Sequence, residues 1–195
     1  ILLYTPNNIV TENSVLRNKN GIHVRGKMNT VERNYLYGNT SDGVIGYGEG
    51  TRVSRNFVEN SGRYGIHLVN ASTTMVASNT VRNSLSHSIF ADGGAGMHRL
   101  ENNMIIGGTA LIYMKSPGST IINNSGITTG NGLMIYQAWT TLRNNIVWSK
   151  GSGKYAIYVT TTGQTGLQSD YNLLYATDAA KIGYWNAART TLGDW

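Results

Sequence analysis

The hexapeptides VERNYL at Val31–Leu36 and VSRNFV at Val53–Val58 share one pattern: an aliphatic residue, an asparagine three places later, and a second aliphatic two places after that. The pattern recurs as VASNTV at Val76–Val81, LENNMI at Leu100–Ile105 and LRNNIV at Leu142–Val147, and, with glycine in the second aliphatic place, as IINNSG at Ile121–Gly126. The full set of asparagine anchors is Asn13, Asn34, Asn56, Asn79, Asn103, Asn124, Asn145 and Asn172, spaced 21 to 27 residues apart. Another short apolar run lies between anchors, as in GIHV, GVIG, GIHL, SIFA, ALIY, GLMI and YAIY. Each repeat therefore offers about three short strands separated by Gly, Asn or Ser turns.

Such a unit cannot bury its inner face alone, whereas stacked copies can. The expected fold is all-β, a right-handed parallel β-helix of about seven or eight coils. Asparagines stacked at one turn would hydrogen-bond along the axis, which gives the anchor a physical reason. A helical solenoid of similar period would show 3.6-residue patterning, and none is present. The helix is expected over residues 1–175, with 176–195 as a capping segment. In the tail DAAKIGYWNAARTTLGDW, Ile182, Trp185 and Arg189 fall at helix-like spacing. It reads as a short capping helix, or as a loop packing Trp185 and Trp195 over the last coil. Ile1 begins in mid-coil without a cap, so association through that end is expected of the isolated chain.

Composition narrows the class. Charged residues make up 13% of the 195-residue chain and hydrophobic residues 40%, which argues against disorder. Cysteine is absent, so neither a disulfide framework nor a thiolate metal site is expected. No apolar run reaches the roughly 20 residues of a membrane helix. The chain starts at ILLYTPNN with no initiator Met, and reads as a mature secreted protein or as part of a longer one. The formal charge of +6 favours acidic partners. Because Lys and Arg are scattered singly, an acidic polysaccharide fits better than nucleic acid.

Over its whole length the sequence resembles the pectin-lyase-like β-helix superfamily. The stretch NGIHVRGKMNTVERNYLYGNTSDGVIGYGEGTRVSRNF (residues 20–57) is similar to the alginate lyase and chondroitinase B family. That family's leucine-arginine-histidine-glycine motif corresponds to Val24-Arg25-Gly26-Lys27, so the resemblance implies a catalytic role for Arg25. The family's histidine is Gly26 here, and its catalytic lysine would fall near Tyr4. The resemblance also implies calcium, but its acidic ligands would fall before Ile1. A second stretch, RYGIHLVNASTTMVASNTV (residues 63–81), resembles non-catalytic periplasmic β-helix proteins that serve copper-enzyme maturation.

Strand alternation then assigns the outer face. With Ile22 and Val24 inward, His23 and Arg25 point out. Aligned by repeat, the His23 column continues as Ile45, His67, Phe90, Ile112 and Met134, and the Arg25 column as Tyr47, Val69, Asp92, Met114 and Tyr136. His23 and His67 then lie two coils apart, about 9.6 Å. They are expected to be ordinary surface histidines, and a metal shared between them is not expected. The candidate catalytic group is His23, Arg25 and Tyr47. An arginine clamps a carboxylate bidentately, while histidine or tyrosine can move the protons of a uronate β-elimination. Lys27 and Glu49 read as a surface ion pair. Candidate saccharide contacts are Lys27, Asp92, Tyr113, Lys115, Tyr136 and Trp139, the aromatic ones by stacking on sugar rings. The apolar column Phe90–Ile112–Met134 should be covered by a loop, the tail or a second chain. Hydrolysis ranks lower, because no two carboxylates stack on adjacent coils.

Three functions remain open at this point. One is a secreted or periplasmic carbohydrate-active protein, a polysaccharide lyase acting on a uronate polymer. Another is a non-catalytic β-helix that binds or builds an extracellular or surface assembly. A periplasmic maturation protein, with histidines that bind copper, is the third.

Overall fold

A computed structural model describes residues 1–191 and Gly193. Three sheets wind around one core as a parallel β-solenoid of about eight turns, with eight strands in each of two sheets and ten in the third. The ten-stranded sheet, here sheet A, starts with Leu2–Leu3, Ile22–Val24, Val44–Gly46 and Ile66–Val69. It continues through His87–Asp92, Ala110–Met114, Asn131–Ile135 and Tyr155–Val159 to Lys181–Trp185. All of these pair in parallel. Sheet B holds Val31, Val53, Val76, Leu100, Ile121 and Leu142 in register, and sheet C holds Leu36, Val58, Val81 and Ile105. Every one of these residues is at most 1% exposed. The strands are mostly three residues long, so each strand sends one or two side chains inward and the rest out.

The asparagine anchors form the expected ladder. Each anchor's backbone N–H and side-chain Nδ2 both donate to Oδ1 of the next anchor at 2.8–3.1 Å, from Asn13 through Asn172. Nδ2 also reaches an inner carbonyl, as Asn79 does to Val53 O at 2.9 Å. The ladder holds a strained corner. The residue before each anchor, from Glu12 and Arg33 to Asn144 and Tyr171, has φ between 53° and 59°. A non-glycine residue there costs on the order of 1 kcal/mol or more. The corner between sheets A and B repeats the device with Asn7, Met28, Gly50, Thr73, Met97, Gly118 and Trp139, all at positive φ.

The glycine of the GIH segments has a separate cause. Gly21, Gly43 and Gly65 open successive sheet A strands, and a Cβ on Gly43 would stand 2.6 Å from the Gly65 carbonyl oxygen. The tail departs from the helical expectation. Lys181–Trp185 is a ninth parallel strand of sheet A, and Ala187–Arg189 folds back antiparallel against it. The spacing of Ile182, Trp185 and Arg189 suggested a helix, but pairing with Tyr155–Val159 satisfies the open edge and wins. Trp195 lies outside the described residues.

Candidate functional site

The candidate residues lie on the outer face of sheet A, and one register call needs correction. Phe90 pairs with Tyr113, which in turn pairs with Met134. Ile112 instead pairs with Ile89 in the core, 1% exposed. The column is therefore His23, Ile45, His67, Phe90, Tyr113, Met134, Tyr158 and Tyr184. Met114 likewise is a core residue, and Lys115 follows Asp92 outside. Phe90 and Tyr113 are 23 residues apart and Tyr113 and Met134 only 21, where an even repeat puts 22 in each coil, and a one-residue slip moves each side chain to the other face. The outer column is aromatic rather than apolar.

At the N-terminal end, Tyr4, Arg25 and Tyr47 occupy one column on successive turns, next to the pairs Leu3–Val24 and Val24–Gly46. The Arg25 guanidinium lies 5.6 Å from the Tyr4 ring and 5.7 Å from the Tyr47 ring. Its Nε donates to His23 Nε2 at 3.4 Å, and the His23 ring sits 5.3 Å from that of Tyr47. Partial burial and then the Arg25 charge lower the His23 pKa, so the ring is neutral near pH 7. The three proposed catalytic groups are thus brought together. Among the described residues Arg25 has no carboxylate partner, whereas Lys27 is paired with Glu49 at 2.8 Å and Lys115 faces Asp92 at 3.8 Å. Gly26, where the related lyases carry histidine, has no room for one: a Cβ would collide with the Thr5 carbonyl.

Two turns further on, the second GIH segment behaves differently. His67 is 6% exposed, not the surface histidine its repeat position suggested. Its Nδ1 lies 3.2 Å from Oδ2 of Asp42, whose side chain is wholly buried. Arg63 closes the same carboxylate with Nε to Oδ1 at 2.9 Å and Nη2 to Oδ2 at 2.6 Å. Burial alone would raise the Asp42 pKa, but the hydrogen bonds from His67 and Arg63 outweigh it and hold the group below its ordinary value. Tyr64 packs edge-on against His67 at 4.6 Å, and Phe90 stacks on it at 5.0 Å. His67 Nε2 is buried without a hydrogen-bond partner. Asp42 was missed because SDG at 41–43 reads as an ordinary turn; only the stacking of turns turns its carboxylate inward.

Beyond Phe90 the face is a ladder of rings. Phe90 and Tyr113 stack at 5.1 Å, Tyr113 meets Tyr136 at 4.7 Å, and Tyr158 stacks on Tyr184 at 4.7 Å. Burial, followed by a hydrogen bond with Tyr136, pushes the Tyr113 pKa up. Rings stacked on one another along the axis present edges and hydroxyls outward, so this stretch offers little ring face to a sugar. Trp139 stands apart at the A–B corner, 66% exposed. A signal missed entirely was His98. Its Nδ1 accepts from Thr74 N–H at 3.3 Å inside that corner, and burial lowers its pKa to about 4.

The fold defines a parallel β-helix of three sheets. A family model described as Periplasmic copper-binding protein (NosD) matches residues 6–191, and the chain belongs to that family. Among curated proteins none matches. Among solved structures, alginate lyase from Paenibacillus sp. str. FPU-7 superimposes with a TM-score of 0.76 at 14% identity, covering 95% of this chain and 77% of that one. The Dettilon tailspike protein (gp208) gives 0.61 at 18% identity, covering 84% of this chain and 42% of its own. A double mutant of the tailspike of E. coli bacteriophage HK620, in complex with a pentasaccharide, gives 0.59 at 13%, covering 93% and 40%. At these identities the likeness is one of fold.

The donor set does not fit a resident copper ion. Among the described residues no three of His, Cys, Asp and Glu converge on a metal position. Thioethers would suit Cu(I), but the Met75 and Met134 sulfurs already accept hydrogen bonds from Arg52 and Asn131. Met28 and Met97 share the A–B corner three turns apart, and Met104 is on sheet C.

Proposed function

We propose that this protein is a periplasmic or surface β-helix that binds an acidic polysaccharide, with the carboxylate of a uronate residue held by Arg25. The observation that carries this reading is an arginine without an acidic partner, fixed between the Tyr4 and Tyr47 rings. Its Nε is engaged by His23, so the guanidinium Nη edge is the part left to take a carboxylate. Flanking rings restrict the side chain before binding, which lowers the entropy lost on capture. The net charge of +6 raises the local concentration of a polyanion. The polysaccharide-acting structures of the same fold agree with this class of ligand.

β-Elimination is the second reading, favoured by one observation: His23 is held neutral beside Arg25 and Tyr47, as a general base must be. Binding is better supported than catalysis, because the His23 lone pair that would accept the proton is occupied by Arg25 Nε. Calorimetric titration with oligogalacturonate, alginate and chondroitin fragments tests the binding; heat from none of them rejects it. Following the absorbance of unsaturated uronate in the same mixtures tests elimination, and a flat trace beside measurable binding leaves the non-catalytic function.

A further inference from the structure

We infer that His67 is a second contact for the same ligand, its Nε2 hydrogen-bonding a sugar hydroxyl two turns away from Arg25. This rests on the saccharide-binding reading and adds a residue to it. Asp42 is an ionised carboxylate and can only accept, so Nδ1 of His67 carries the proton between them. The other ring nitrogen, Nε2, is buried and has no hydrogen-bond partner, and a sugar hydroxyl can donate to it or accept from it. Native structures rarely keep such a nitrogen unsatisfied, and its orientation here is fixed by Asp42, itself clamped by Arg63. The arrangement is that of an oriented binding group.

Access depends on Tyr64. Its backbone is tied at both ends, N–H to Asp42 Oδ1 at 3.4 Å and carbonyl to Gly43 N–H at 2.9 Å, while its ring lies over His67 with Arg63 stacked outside at 4.7 Å. The contact therefore requires the Tyr64 ring to move aside from His67, while the imidazole stays stacked on its other neighbour, Phe90. Between the two contacts, Ile45 pairs with both His23 and His67. The span from the His23 row to the His67 row is about 10 Å at the usual strand spacing, which a short oligosaccharide bridges.

Long-range proton–nitrogen spectra of the full chain resolve the imidazole nitrogens of its four histidines. With oligogalacturonate as the probe, His67 Nε2 should shift on saturation while Nδ1 keeps its proton. His67→Ala should raise the probe's dissociation constant about fivefold, the effect of one lost hydrogen bond. Should that variant fail to fold, the wild-type spectra alone decide. Unmoved His67 nitrogens at saturation, with binding still weakened by Arg25→Ala, overturn the His67 contact and leave the polysaccharide reading standing. No binding by the wild-type protein removes both.

Discussion

His23 and His67 occupy the same strand position in GIH segments two turns apart, yet their surroundings have little in common. His23 is partly exposed and shares its nitrogen with the Arg25 guanidinium on its own turn. His67 is sealed under Tyr64 and Phe90 and fixed by a buried carboxylate. The difference comes from what neighbours bring. Arg25 lies two residues beyond His23 on its own turn, whereas Asp42 reaches His67 from the preceding turn, 25 residues away. A repeat fixes a position; its stacking partners decide the chemistry there.

The comparison is broken most severely by removing Asp42. Asp42→Ala strands a buried histidine beside a half-buried arginine, and the loss of one member of a buried pair should cost about 3 kcal/mol in a denaturant melt. If stability is unchanged, the network is decoration and the contrast with His23 is only one of exposure.

Acidification should act most through His98 and His87, whose pKa values are lowered furthest. Burial lowers the pKa of His98 to about 4, and burial followed by the Lys115 charge does the same for His87. The unfolded chain titrates near 6.5 and therefore binds more protons between these values. Stability from these residues is fully present above pH 6.5 and is lost as pH falls toward 4, on the order of 2–3 kcal/mol for His98. Melting midpoints measured from pH 7 to pH 4 check the window, and His98→Gln should flatten the curve. A midpoint that stays level through this range contradicts the burial argument.

Arg25→Ala separates function from fold. It should weaken binding of an acidic oligosaccharide about tenfold, near 1.4 kcal/mol, with the melting midpoint unmoved. Equal losses of affinity and stability would make the clamp a structural feature. The smallest effect is expected at Glu49→Gln, which releases the exposed Lys27 and should leave the melt unchanged. If that variant binds the polyanion more tightly, Lys27 joins Arg25 as a contact.

Much of the fold was legible because the signal is repeated. Asn34, Asn56 and Asn79 recur with aliphatic partners at fixed offsets, and one ladder explains them all. The group of His23, Arg25 and Tyr47 was readable for a related reason, since it spans a single step between adjacent turns. The column after Phe90 was misassigned because 23 residues separate Phe90 from its partner Tyr113 and only 21 separate Tyr113 from Met134, where an even repeat puts 22 in each coil. Repeat alignment carries no record of such a local change, and a shift of one residue exchanged Ile112 for Tyr113.

The sequence by itself determined the solenoid, its period and its asparagine ladder, because these depend on hydrophobic alternation and turn chemistry written locally in every coil. Only the tertiary structure decided which outward side chains meet. Contacts between turns depend on register to a single residue and on burial by groups more than 20 positions away. Asp42 behind His67, and Tyr64 above it, belong to that second kind of information.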